Sequence, residues 1–331
     1  MPPGGWSRNR ASWPWCPPRN RNDASSALGE LGTAPPALGA EVGCACNALV
    51  VARIAIIGGG NIGVALLSGL LESGREAKDL VVAELNPGRA QELSQRYGVL
   101  VTGVADAADN ADYVVIAVKP GDVDAVVSTL AEVATSADAN SSEQVVVSVA
   151  AGITTDFLES KLPAGSLVVR VMPNTPMLVG AGVSALSAGR FTTDAQLAEV
   201  SSIFAAVGSV LTVPEAQMDA VTAVSGSGPA YVMLLAEAMV DAGVAVGLPR
   251  AVSTDLVSKT LAGSAAMLLD RIERSEAGGI DTSAAQLRAS VTSPGGTTAA
   301  GLRELERGGL RAAVDAAVSA AKTRSEQLRI T

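Results

Sequence analysis

Residues 53–74, RIAIIGGGNIGVALLSGLLESG, restrict what this chain can fold into more than any other stretch. The β-branched run from Arg53 to Ile57 reads as a buried parallel strand, and Gly58-Gly59-Gly60-Asn61-Ile62-Gly63 follows without a spacer. A helix pattern begins at once, because Ile62, Ala65, Leu66, Gly69 and Leu70 recur at helical spacing and would lie against a sheet. Strand, glycine turn and helix in this order meet the requirement of the G-x-G-x-x-G arrangement for a dinucleotide. Gly58 permits the tight turn, Gly60 lets backbone N–H groups approach a pyrophosphate, and Gly63 lets helix and strand pack closely. The helix N-terminus attracts the negative charge.

The following segments extend the same logic. Leu80 to Ala83 reads as a second strand, and it ends in Glu84 about 20 residues beyond the last glycine of the turn. An acid there would accept a hydrogen bond from the adenosine ribose and favour NAD, whereas Asn86 and Arg89 in the next turn could hold a 2′-phosphate; the residues leave both choices open. A helix is expected from about Arg89 to Tyr97, a short strand at Val99 to Val101, and a fourth strand from Ala111 to Val118 running into Lys119-Pro120. Pro120 suits the first position of a helix. Strands at Gln144 to Val149 and Leu167 to Val171 follow, the first continuing into Ala150-Ala151-Gly152 and the second into Met172-Pro173-Asn174-Thr175-Pro176. Strands alternating with helices predict a doubly wound sheet whose ligand crevice lies at the strands' carboxyl ends, and the two prolines predict an extended loop there. Gly182 to Ser187, a helix from about Asp194 to Val207, and Ser209 to Val213 complete a first domain over residues 50–213.

From Pro214 strand patterns nearly vanish. Helical segments at about 215–223, 227–244, 249–273, 282–291 and 297–329 predict a second, all-α domain over residues 214–331. Its helices are dense in alanine and glycine, including Ala312, Ala313, Ala316, Ala317, Ala320 and Ala321. Small residues let helix backbones come close, and so much apolar helix face in a small domain calls for a partner, so a homodimer through this domain is expected. Two glycine-rich stretches, Ser225-Gly226-Ser227-Gly228-Pro229 and Ser293-Pro294-Gly295-Gly296-Thr297-Thr298, are expected to break the helices. Each would offer hydroxyls and free N–H groups at a helix start, suited to a carboxylate or phosphate, or would serve as an ordinary cap.

Composition narrows the chemistry. The 331 residues carry a net charge of −9, which argues against a nucleic-acid footprint. Mean hydropathy is high at +0.33, but the long uncharged stretch from Val171 to Gly189 contains two prolines and several glycines, so no membrane span is expected. There is no histidine, and Cys16, Cys44 and Cys46 all precede the first strand. An imidazole base, a core cysteine nucleophile, a His/Cys metal site and disulfides in the folded body are thereby excluded, and a cytoplasmic location is the natural expectation. Residues 1–49, rich in Pro, Gly, Arg and Asn, read as a disordered and dispensable extension.

Six segments together resemble the pyrroline-5-carboxylate reductase family: GGGNIG (58–63), AVKP (117–120), AAG (150–152), MPNTP (172–176), SGSGPAY (225–231) and SPGGTTAAGLRELE (293–306). The likeness runs from about Val51 to the C-terminus, and the SPGGTT segment is its most specific part. It implies a Rossmann-type sheet followed by a helical dimerisation domain, and reduction of 1-pyrroline-5-carboxylate to L-proline by NADPH or NADH. It implies that Gly58, Gly59, Gly60, Asn61, Ile62, Gly63, Asn86, Ala117, Val118, Lys119, Pro120 and Ala150 hold the cofactor. Ser225, Ser293, Gly296, Thr297 and Thr298 would hold the substrate, with Thr298 near the ring nitrogen as the catalytic residue. Homodimers interleaved through the helical domain, in many members assembled further into decamers, follow from the same resemblance. Val104 stands where the family can have a polar cofactor contact, so that contact is not carried over.

The absence of histidine suits this reaction. Reducing a carbonyl builds an alkoxide that needs a strong acid, whereas a cyclic imine can arrive protonated and simply accept hydride. A hydroxyacid dehydrogenase would need a catalytic lysine in the second domain, for which Lys259 is the candidate; a catalytically silent dinucleotide-binding regulator would bind cofactor without turnover.

Overall fold

The computed structural model describes residues 52–136, 144–274 and 283–330. The expectations for residues 1–49 and the three cysteines fall outside these. Eight strands form one sheet: β1 Ile54–Ile57, β2 Leu80–Ala83, β3 Leu100–Thr102, β4 Tyr113–Ile116, β5 Val145–Ser148, β6 Leu167–Met172, β7 Gly182–Ala188 and β8 Gly208–Thr212. Their spatial order is β3-β2-β1-β4-β5-β6-β7-β8. Every neighbouring pair is parallel except β6 with β7. The first six strands have the order of a doubly wound dinucleotide fold, with the topological switch between β1 and β4.

Helices α1 Asn61–Glu72, α2 Pro87–Tyr97, α3 Val104–Ala108, α4 Val123–Ser136, α5 Thr155–Lys161 and α6 Asp194–Ala205 connect the strands. Both sheet faces are covered. Ile54, Ile56, Val82 and Val115 point to the face packed by Leu66, Leu67 and Leu70 of α1 and Phe204 of α6. Ala55, Ile57, Val81 and Val114 point to the other, packed by Val127 and Leu130 of α4 and Phe157 of α5. Alternate residues of each strand serve opposite faces, so strands buried on both sides read as continuous apolar runs. Local chemistry sets several boundaries: Asn86 caps α2 by accepting from Arg89 N–H at 3.0 Å, and Thr193 with Gln196 forms a capping box on α6. Pro120 opens a short tight turn, 120–122, that runs into α4, as its fixed φ favours.

The remaining helices are α7 Met218–Val221, α8 Gly228–Ala245, α9 Arg250–Glu273, α10 Ser283–Ser290, α11 Thr297–Arg307 and α12 Leu310–Gln327. Contacts divide the described residues into two units, one of residues 52–254 with 292–330, the other of residues 255–274 with 283–291. In the second unit Arg271 donates to Gln286 Oε1 at 2.6 Å, tying α9 to α10.

Two expectations about the helices need correction. The segment 297–329 is two helices, because Gly309 turns the chain with φ +75° between α11 and α12. Ser225–Pro229 is not a break, since a π turn over Thr222–Gly226 carries the helix from α7 into α8, with Ser227 N–H donating to Thr222 O at 2.9 Å. The resulting helical run Glu215–Ala245 is apolar and long enough to cross a membrane by length and composition, a property that Val171–Gly189 lacks. Within α8 the charged residues are Glu237 and Asp241, one turn apart, and Val232, Met233, Leu234 and Leu235 are exposed.

The C-terminus is anchored to the sheet's unit. Asp219 of α7 is buried, and its carboxylate accepts from Ser325 Oγ at 2.6 Å and from Arg329 Nε at 2.7 Å. Ile330 then pairs with Ile153, and Ile330 N–H donates to Gly152 O at 3.0 Å, beside the loop that follows β5. Burial pushes the Asp219 carboxyl up, but the hydrogen bonds from Ser325 and Arg329 and the charges of Arg329 and Arg170 outweigh it and hold the group below the ordinary carboxylate range. A depressed folded pKa contributes stability above the unfolded value of about 3.9 and loses it as pH falls through the folded value. Asp219→Asn is therefore expected to cost about 2–3 kcal/mol at neutral pH, less than a fully enclosed pair because Arg329 keeps solvent contact. In urea titrations the gap between variant and parent should narrow below about pH 4 as the parent's carboxylate is protonated. A gap that is constant from pH 7 to pH 3 would remove the ion pair as the cause.

Candidate functional site

The crevice lies at the carboxyl ends of β1 and β4, where the glycine turn leaves β1. Gly58 has φ +112°, and a Cβ there would stand 2.8 Å from Ala117 O at the end of β4, so only glycine closes the turn against its neighbour. Gly63 is needed for close approach, since a Cβ there would come 2.1 Å from Gly58 O. Gly60 differs from both. A Cβ at Gly60 would meet no atom within 4 Å and would project into open space at the N-terminus of α1. That helix start has no side-chain cap and no acid in its first turn, and its leading N–H groups lack intrahelical acceptors. Open space, free donors and the positive end of the helix dipole fit a pyrophosphate.

The other expected cofactor residues line the same edge. Ala117 N–H donates to Ile57 O at 2.8 Å, which sets the start of Ala117–Pro120 beside the glycine turn. Ala117 and Val118 are half-buried, while Lys119 and Pro120 are exposed. Lys119 forms no ion pair among the described residues, leaving its charge available to a ligand. Ala150 follows β5 and is buried, and Val149 N–H donates to Ile116 O at 3.1 Å, placing this loop next to β4. Beyond β2, Glu84 folds back onto the turn, accepting from Gly59 N–H at 3.0 Å and from Asn86 N–H at 2.8 Å.

The substrate candidates separate into two places. Ser225 is held at the end of β6 by Asn174, whose Nδ2 lies 3.3 Å from both Ser225 O and Ser225 Oγ while its Oδ1 accepts from Val183 N–H at 2.8 Å. Asn174 is the residue that ties the helical segment to the crevice edge, and composition or spacing alone did not single it out. Its signal was its place between Pro173 and Pro176; backbone extension there persists only through Asn174, and residues 175–179 form a tight helical turn. Arg170 on β6 adds a second tie, a 2.5 Å ion pair from its buried guanidinium to Glu215, just ahead of α7.

Ser293, Gly296, Thr297 and Thr298 stand elsewhere, at the start of α11. Gly296 is the extended residue that begins this helix, with no side-chain cap and no acid in the first turn, and Gly296 N–H donates to Ser293 O at 3.1 Å. Ser293, Thr297 and Thr298 are exposed, and among the described residues no side-chain hydrogen bond joins them to the crevice; α11 packs against α12. Lys259, the lysine a hydroxyacid dehydrogenase would use, is exposed and paired with Asp255 at 2.7 Å. Among the described residues no group of three or more Asp, Glu, His or Cys side chains could hold a metal. A hollow lined by Asn110, Leu130, Gln144, Leu162 and Ser166 opens near the amino ends of the central strands, the side of the sheet opposite to ligand binding in this fold.

Comparison with known proteins agrees with both halves of the chain. Residues 215–328 match the family model described as pyrroline-5-carboxylate reductase dimerisation, and residues 53–152 match that described as NADP oxidoreductase, coenzyme F420-dependent. A pyrroline-5-carboxylate reductase of Mycobacterium tuberculosis is 65% identical over 289 residues, 85% of this chain and 98% of that protein. Among solved structures, a pyrroline-5-carboxylate reductase from Coxiella burnetii aligns with a TM-score of 0.76 at 35% identity, over 85% of this chain and 99% of that one. A Plasmodium falciparum pyrroline carboxylate reductase with NADP bound aligns with a TM-score of 0.70 at 29% identity, over 84% and 98%.

Proposed function

This chain belongs to the pyrroline-5-carboxylate reductase family, and we infer from that membership how its crevice carries out the family's reaction: reduction of the C=N bond of 1-pyrroline-5-carboxylate to L-proline, the last step of proline synthesis, with NADPH or NADH. The observation that carries the reading is the glycine cradle at the β1/β4 switch, open at Gly60 and set at the free start of α1. Bound there, reduced nicotinamide would supply hydride to the imine carbon. Gly58 to Gly63 hold the pyrophosphate, Asn86 lies toward the adenosine, and Ala117 to Pro120 with Ala150 form the wall at the nicotinamide end. Lys119 positions the bound groups by charge.

On the substrate side, the α11 start after Gly296 holds the carboxylate, with Ser293 and Thr297 as further donors; Ser225, which stands apart at the end of β6 within one chain, joins them when pairing of two copies brings the two places together. Thr298 Oγ orients the C=N group, and no protein acid has to deliver a proton to a developing alkoxide, which a chain lacking histidine suits. Residues 50–213 are the cofactor domain and residues 214–331 the substrate and dimerisation domain. Pairing of two copies covers the exposed apolar face of α8, which favours a protein interface over a lipid one, with decamers and a cytoplasmic location as the rest of the reading.

Two measurements test it. Purified protein should oxidise NADPH or NADH only when pyrroline-5-carboxylate is present and should form proline; binding without turnover would favour the silent-regulator reading. Light scattering should give at least twice the 33.2 kDa chain mass, and a monomer would remove the pairing.

A further inference from the structure

Glu84 is the feature of the crevice that the reaction itself leaves unused. It stands one residue beyond β2, where the adenosine ribose lies in a doubly wound sheet. Both of its oxygens are fixed, Oε2 by Gly59 N–H at 3.0 Å and Oε1 by Asn86 N–H at 2.8 Å, so the carboxylate is pinned to the glycine turn and does not swing freely. The nearest cation, Arg89, is already committed: its Nε donates to Gly59 O at 3.1 Å and its Nη1 pairs with Glu92 at 2.8 Å. A carboxylate held in this way accepts hydrogen bonds from ribose hydroxyls and repels a 2′-phosphate, and the neighbouring arginine's charge is partly neutralised by Glu92.

We propose that Glu84 makes this reductase select NADH over NADPH by reserving the ribose 2′ position for a hydroxyl. The inference rests on the reading that the crevice binds nicotinamide dinucleotides, and it names which of them the chain prefers. Arg89 contributes by bracing the turn through Gly59, and Asn86 by presenting its N–H to Glu84 while its side chain caps α2.

The test is calorimetric titration of the purified enzyme with NADH and, separately, NADPH, at low and high salt. The parent is expected to bind NADH about tenfold more tightly or better, the scale of a partly screened like-charge contact. That ratio should shrink at about 1 M salt. Glu84→Ser should tighten NADPH and bring the ratio to one or below, and Glu84→Gln, which keeps the side-chain shape, should move it in the same direction. Equal or NADPH-favouring affinities in the parent, or a ratio unchanged in both variants with parental melting temperatures, would overturn the proposal alone. Failure of the parent to bind either dinucleotide would overturn the cofactor reading and this inference with it.

Discussion

Gly60→Val is expected to leave the fold intact and to abolish cofactor binding. The two halves of that outcome have separate causes. Nothing lies within 4 Å of a Cβ at Gly60, so the apo protein can take a larger side chain there without moving a neighbour. A β-branched side chain would fill the space in which a pyrophosphate must approach the first N–H groups of α1. Losing two charge-assisted hydrogen bonds at about 1.5–3 kcal/mol each weakens binding by roughly 10²- to 10⁴-fold. Calorimetry with NADH and NADPH measures the loss, and the melting temperature of the apo protein should stay within about 2 °C of the parent, as for a substitution with a stability effect under 0.5 kcal/mol. Gly63→Val offers the contrast: its Cβ would strike Gly58 O, so that variant should lose stability as well as binding. A Gly60→Val protein that binds cofactor normally would mean that the pyrophosphate does not pass over this turn.

Thr298→Ala is the second large effect, and it should fall on turnover alone. Thr298 lies in the exposed first turn of α11 and is not part of the Gly58–Gly63 turn, so the affinity for NADH or NADPH should stay within about twofold while kcat falls about 10²-fold, the scale of a lost orienting contact. Because a hydroxyl that orients the imine does not titrate in the working range, the residual activity should keep the parent's pH profile. Thr298→Ser should restore most of the turnover by returning the oxygen. Parental kcat in Thr298→Ala would remove this residue from the mechanism, and a changed pH profile would point to proton transfer in place of orientation.

The cofactor half of the protein was legible in the residues because its signals are local. A β-branched run, a glycine turn and a helix with period 3.6 are each decided within a few residues, and β1, the turn and α1 fall where the pattern put them. The strand–helix alternation likewise indicated a doubly wound sheet, and the first six strands have its order. Local pattern did less well in the helical half. The Ser225–Pro229 glycines read as a break because glycine and proline usually end helices, yet here a π turn passes through them, stabilised by packing of Gly226 on Met172 and by the clamp from Asn174. The Gly308-Gly309 turn was hidden between two helical patterns, the charged run Leu302–Arg307 before it and the alanine periodicity from Ala312 after it.

Sequence by itself determined the strand–glycine–helix unit, the exclusion of imidazole and core-cysteine chemistry, and the family to which the motifs point, since each depends on residue identity at short spacing. Tertiary structure alone decided that Gly60 faces open space while Gly58 and Gly63 are closed in, that Glu84 turns back onto Gly59, and that Asp219 meets Ser325 and Arg329 more than 100 residues away. Those facts depend on which atoms come within hydrogen-bonding distance once distant segments pack, and no spacing along a chain encodes that distance.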